Sequence, residues 1–222
     1  MREDDGEGEE GVDAHAGGDG EGEPRVNAHQ ERHREAQLHE EALALFRGLG
    51  DKRVLSTSLY NLGEVAQYRG DFARALELQT ESLSLKREVG DKRGIALCVN
   101  NLGDIARLRG DYAGAASLYG ESLPLFRELG DKRNVTFCLE GLAEVACTEM
   151  EYERAARLFG AAVALREAIG APLPAAERTD YKSHLAAARS GLSDETFTRL
   201  WRQGRDMKLD AAIAYALKTP ND

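Results

Sequence analysis

The side chains able to do chemistry are few and do not converge. His29 and His33 stand four residues apart, which puts two imidazoles on one helix face and could offer a metal two ligands. No H-E-x-x-H arrangement or cysteine partner accompanies them, so the pair reads as a surface feature and no metal site is expected. Arg-Gly-Asp occurs at 69–71 and 109–111, and Asn134-Val-Thr136 is a glycosylation sequon with nothing in the sequence to route the chain for secretion. There is no Gly-x-x-x-x-Gly-Lys-Ser/Thr phosphate loop, no Ser/His/Asp arrangement and no carboxylate pair at a definable cleft. The expectation is a protein without catalytic activity and without a cofactor.

Charge is distributed unevenly. The net charge is −10, but residues 1–24 hold ten acids against Arg2 alone, so the remaining body carries −1. That segment is Gly- and Glu-rich with almost no large apolar residue, and residues 1–26 are expected to be a disordered acidic tail. A near-neutral body argues against a nucleic-acid partner, because phosphate neutralisation needs clustered Lys and Arg. No apolar run approaches the ~20 residues that span a bilayer, so no membrane partner is expected. The N-terminus is the opposite of a signal peptide, and three cysteines without a C-x-x-C suit a reducing, cytoplasmic location.

What organises the chain is repetition. Leu-Gly-Asp-Lys-Arg recurs at 49–53, 89–93 and 129–133, a period of 40. Asn-Leu-Gly-Glu-Val-Ala at 61–66 returns as Asn-Leu-Gly-Asp-Ile-Ala at 101–106 and, altered, as Gly-Leu-Ala-Glu-Val-Ala at 141–146. Each unit reads as two helices. The first runs from about Lys52 to Arg69, with Leu55, Leu59, Leu62 and Ala66 on one face. Gly70 stops it, and Asp71 can cap the second, which sets Phe72, Ala75, Leu78, Ser82, Leu83 and Leu85 inward. This phase explains both Arg-Gly-Asp tripeptides as turn residues. Cys98 and Cys138 share one repeat position, where helices would bury them too far apart for a disulfide.

The pattern resembles the tetratricopeptide repeat, carried by Leu62, Gly63, Ala66, Gly70, Asp71, Phe72, Ala75, Ser82 and Leu83 and by their counterparts 40 residues on. The third unit keeps Leu142, Ala146, Tyr152, Ala155 and Ala162 but has Ala143 for the consensus Gly and Met150 at the turn. The resemblance implies an all-α, right-handed α-solenoid of stacked antiparallel helix pairs. The expected organisation is the tail at 1–26, an array at 27–170 and a helical cap at 171–222. The array divides into a half unit, 27–50, and units 51–90, 91–130 and 131–170. Residues 30–50 match only a second helix, which leaves the N-terminal edge uncapped and open to self-association. After Gly170 the motif is lost; helices are expected near Ala175–Ser190, from a Ser193 cap through Arg205, and over Leu209–Lys218. The stretch from Phe197 through Trp201 to Leu217 is similar to the module closing the repeat arm of large bacterial signalling-ATPase and LuxR-type transcriptional regulators.

Arrays of this family line a concave face with the first helix of each unit. The resemblance places Thr57, Tyr60, Asn61, Glu64 and Gln67 there, then Leu97, Asn100, Asn101, Asp104 and Arg107, then Phe137, Glu140, Glu144 and Cys147. Asn61 and Asn101, one repeat apart, could each offer a peptide backbone a donor and an acceptor, or could brace neighbouring helices. Glu64, Asp104, Glu140 and Glu144 are expected to make the face acidic. The Lys-Arg pairs at 52–53, 92–93 and 132–133 form a recurrent basic ridge, read as a solvated rim. The implied function is a scaffold for a protein or peptide partner; the alternative is the effector-sensing arm of an ATP-dependent regulator.

Overall fold

The computed structural model describes residues 34, 37, 38, 40–48, 50–172 and 178–218, the side chains of 178–180 excepted. The chain divides into Met1–Leu38 and His39–Asp222. In the first unit Arg34, Gln37 and Leu38 are helical; the acidic tail and the His29/His33 pair lie outside the described residues.

The second unit is an all-helical solenoid. Helical residues 40–48 lead into α1 (Lys52–Tyr68) and α2 (Phe72–Val89), then α3 (Lys92–Leu108) and α4 (Tyr112–Glu128), then α5 (Lys132–Thr148) and α6 (Tyr152–Ile169). Each odd helix packs on the even helix after it, and each even helix on the next pair. The packing follows the inward stripe: Leu59, Val99 and Leu139 are fully buried, as are Ala75, Ala115 and Ala155 where paired helices approach most closely. Burying one such Leu contributes roughly 1.5–3 kcal/mol. Leu43 of the leading stretch closes over Leu59, Leu62 and Leu78. No helix among the described residues is long and apolar enough to cross a membrane.

One turn, repeated, fixes the angle within each pair. Gly70 and Gly110 take φ of +78° and +82°, and the amides of Asp71 and Asp111 reach back to Ala66 and Ala106. The same aspartates then cap α2 and α4 by accepting from Arg74 N and Gly114 N. The third turn keeps this geometry with the wrong residues. Met150 is forced to φ +60°, Glu151 N still bonds Ala146 O, and Glu151 gives α6 no side-chain cap.

Three more helices follow: α7 (Arg178–Ser190), α8 (Asp194–Arg205) and α9 (Leu209–Ala216). The residues between Pro172 and α7, with the Ala175 start expected for that helix, lie outside the described residues. The period that the motif loses after Gly170 persists in the packing of α7. Cys147 Sγ donates to His184 O, and Arg107 pairs with Glu144; both partners stand 37 residues on. Tyr181 meets Phe159 edge-on, 22 residues apart, and Tyr119 lies against Gly141 at the same separation. Thus α7 occupies the place of a fourth first helix. The departure comes at α8, which packs closely on α6 while barely touching α7. Gly160 abuts the Trp201 carbonyl and Gly204 the Arg157 carbonyl, leaving no room for a Cβ. Trp201, half-buried, stacks on Phe197. Helix α9 ends at Ala216, short of the expected Lys218, with no side-chain cap from Lys208.

Met150 is exposed, so its backbone strain is offset by no packing. A non-glycine residue in the left-handed region costs about 1–2 kcal/mol, of which the greater freedom of the unfolded glycine chain returns ~0.4–1 kcal/mol. Met150→Gly is therefore expected to raise the thermal midpoint by about 1–4 °C in a calorimetric scan. Gly70→Ala is expected to lower it.

Candidate functional site

The candidate face is carried by the first helices, α1, α3 and α5, whose stripes repeat every 40 residues. Its character changes along the array. On α1, Thr57, Asn61 and Glu64 are exposed, with Tyr60 and Gln67 half-buried. Tyr60 Oη donates to Glu64 Oε1 at 3.0 Å, with the Asn101 side chain of α3 close by. Burial, reinforced by the Glu64 carboxylate, pushes the Tyr60 hydroxyl pKa up. The Lys86 ammonium, itself paired with Asp91, lies 5.7 Å from the Tyr60 ring centroid.

On α3, Leu97, Asn101, Asp104 and Arg107 are half-buried and Asn100 is buried. Asn100 Nδ2 donates to Asp104 Oδ2 at 3.4 Å, and its Oδ1 accepts from Cys138 Sγ. Asp104 also accepts from Tyr119 Oη at 2.6 Å. Burial holds the Asp104 carboxyl above the usual range, opposed by the Tyr119 hydrogen bond and the Arg107 charge. Arg107 Nη1 lies 2.8 Å from Glu144 Oε2, and its Nε donates to Tyr119 Oη at 3.4 Å. The last member, His184 Nδ1 of α7, stands 4.0 Å from Glu144. One polar chain, Asp104–Tyr119–Arg107–Glu144–His184, thus crosses α3, α4, α5 and α7.

On α5, Phe137 is half-buried between two guanidinium groups, Arg166 at 4.9 Å and Arg133 at 5.9 Å from its centroid. Glu140 is only 5% exposed and makes a two-pronged ion pair with Arg166 of α6. Burial pushes the Glu140 carboxyl up, while Arg166 holds it down. Cys147 is buried beneath α7.

The structure therefore does not present four acids together. Glu140 is consumed by Arg166, and Asp104 and Glu144 share Arg107. Of the four, Glu64 alone is exposed, and it accepts from a neutral hydroxyl, that of Tyr60. Sequence reasoning named Arg107 without pairing it, and missed Arg166 and Tyr119 because they come from second helices and His184 because it comes from α7. Tyr119 is fully buried yet reaches the concave side. A Cβ on Gly103 would stand 2.9 Å, and one on Gly141 2.5 Å, from its ring. The signal was present: the inward slot reads Gln79, Tyr119, Phe159, and Gly141 replaces an asparagine where that ring passes. Cys98 and Cys138 are buried free thiols against Ser82 and Ser122, and burial pushes the Cys138 thiol up to about 12. Among the described residues no cluster of His, Cys, Asp and Glu is placed to hold a metal.

The tetratricopeptide-repeat family model matches residues 25–88 and 95–168, more than half of the chain. The chain belongs to the tetratricopeptide-repeat family. No curated protein matches it. Its architecture is that of a protein–protein interaction scaffold, a class that takes protein or peptide partners and is generally non-enzymatic.

Removing one member of a buried ion pair leaves the other desolvated and unpaired, at a cost of ~3–5 kcal/mol. Glu140→Ala is expected to destabilise the array by about that amount in urea unfolding. The double variant Glu140→Leu/Arg166→Met is expected to be far less harmful than either single change, giving a large coupling in the double-mutant cycle.

Proposed function

We propose that this chain is a non-enzymatic scaffold that binds a peptide segment of a partner protein on its concave face, chiefly over the first two units. The observation that carries this reading is the gradient of accessibility along the face. Asn61, Glu64 and Thr57 stand exposed on α1, whereas the corresponding positions on α5 are filled by Gly141, by Glu144 bound to Arg107, and by Phe137 between two arginines. Two amides one repeat apart match the donor–acceptor alternation of an extended backbone. Leu97 and Tyr60 supply apolar surface between them. The free acid at Glu64 favours a basic or amide-bearing group on the partner at that end. Peptide affinity then comes from backbone hydrogen bonds, with side-chain selection by the flanking residues.

Peptides selected from a random phage-displayed library against the intact protein provide the test. Their affinity, read by fluorescence anisotropy, is expected to fall about tenfold or more in Asn61→Ala/Asn101→Ala, and in Glu64→Lys for peptides that carry a base. Unchanged helical circular dichroism shows that each variant is folded. Asp104 is unsuitable for this purpose, because its carboxylate also holds Tyr119. Retention of full affinity by all variants would remove the concave face as the binding surface.

A further inference from the structure

Two ladders of ion pairs run along the units, and both stop at the third. Lys52 Nζ pairs with Glu88 at 2.6 Å, and Lys92 Nζ with Glu128 at 2.6 Å. The next rung would join Lys132 to residue 168, which is alanine. Arg93 pairs with Asp131 at 3.3 Å, and Arg53 stands in the field of Asp91, the corresponding residue one unit earlier. The next rung would join Arg133 to residue 171, again alanine. Lys132 and Arg133 are both exposed, and among the described residues neither has a carboxylate partner.

The charges around them are committed in pairs. Asp131 caps α5 and takes Arg93, Glu140 takes Arg166, and Glu167 takes Arg205 at 2.6 Å. Among the described residues the local surplus is therefore the two bases. Arg133 lies over the half-buried Phe137 ring, whose other cationic neighbour is the neutralised Arg166. Beside Arg166 an apolar cavity of about 400 Å³ opens between Val163, Gly170, Ala171 and Pro172. Two guanidinium groups thus flank the Phe137 ring of α5, and one of them, Arg166, also borders the apolar recess at the end of α6.

We infer that Lys132 and Arg133 form a docking point for a carboxylate-bearing segment of a protein partner, beside the arginine-covered ring of Phe137. This deepens the concave-face reading and rests on it. The partner is a peptide whose acidic residues fall on the third unit, while any basic residue falls toward Glu64 on the first. Selectivity comes from what the neighbouring units lack: Lys52, Lys92 and Arg93 are already paired with carboxylates, so an acidic segment gains most at this rung.

The test uses two labelled twelve-residue peptides of equal apolar content, one of repeated Glu-Glu-Leu and one of repeated Lys-Lys-Leu, titrated into the full chain. The Glu peptide is expected to bind, to weaken with added salt, and to lose roughly tenfold in affinity in Lys132→Glu/Arg133→Glu. Lys52→Glu/Lys92→Glu changes the net charge equally but at two satisfied rungs, and is expected to leave the affinity within about twofold. Absence of binding by the Glu peptide, indifference to the Lys132/Arg133 change, or an equal loss in the Lys52/Lys92 variant would overturn the inference. Binding of the Lys peptide alone, lost in Asn61→Ala/Asn101→Ala, would overturn it too while leaving the concave face as the binding surface.

Discussion

A pair of antiparallel helices each about seventeen residues long cannot bury its own apolar stripe. Everything in this molecule follows from the need to cover that stripe with the next pair. The stacking requires the helices of a pair to meet at one repeated angle, which the left-handed turn residue and the capping aspartate after it supply. It requires near contact of backbones, which Ala75, Ala115 and Ala155 permit. It also requires an end, and the chain makes one by setting the backbone of α8 directly against that of α6 at Gly160 and Gly204, where a further first-and-second helix pair would otherwise continue.

Much of this was legible in the sequence because the features that build it are local. Glycine then aspartate marks a stop and a cap within two residues, and inward leucines recur at helical spacing. The position of α7 was not legible for the opposite reason. It keeps the phase of a first helix through His184 and Tyr181, but at the consensus Leu and Gly positions it carries Lys182 and Ser183. Packing against α5 and α6, rather than its own motif, holds it in register. Met150 shows the same priority of packing over propensity, since a residue that disfavours the left-handed region takes it because its neighbours leave no other path.

The candidate site divides along the same line. Which side chains share one face of the first helices follows from helical phase, but the burial of Asn100 and Glu140 does not. Their charge state could not be read either, because it depends on partners 15 to 40 residues away: Tyr119 for Asp104, Arg166 for Glu140, Arg107 and then His184 for Glu144. Counting acids on one helix face overstated its negative potential. Counting bases on the rim missed that Lys52, Lys92 and Arg93 were already paired. The surplus lies where the repeat pattern breaks, with alanine at 168 and 171, and such breaks are visible only against the intact rungs.

The polar chain from Asp104 to His184 has a consequence for how damage spreads. First helices are tied directly to one another across the second, third and fourth positions, by Arg107 with Glu144 and by Glu144 with His184. Between α1 and α3 the corresponding position is Gln67, a neutral side chain. Loss of one member of the chain therefore strands a charge in the next unit, whereas loss of Gln67 strands none.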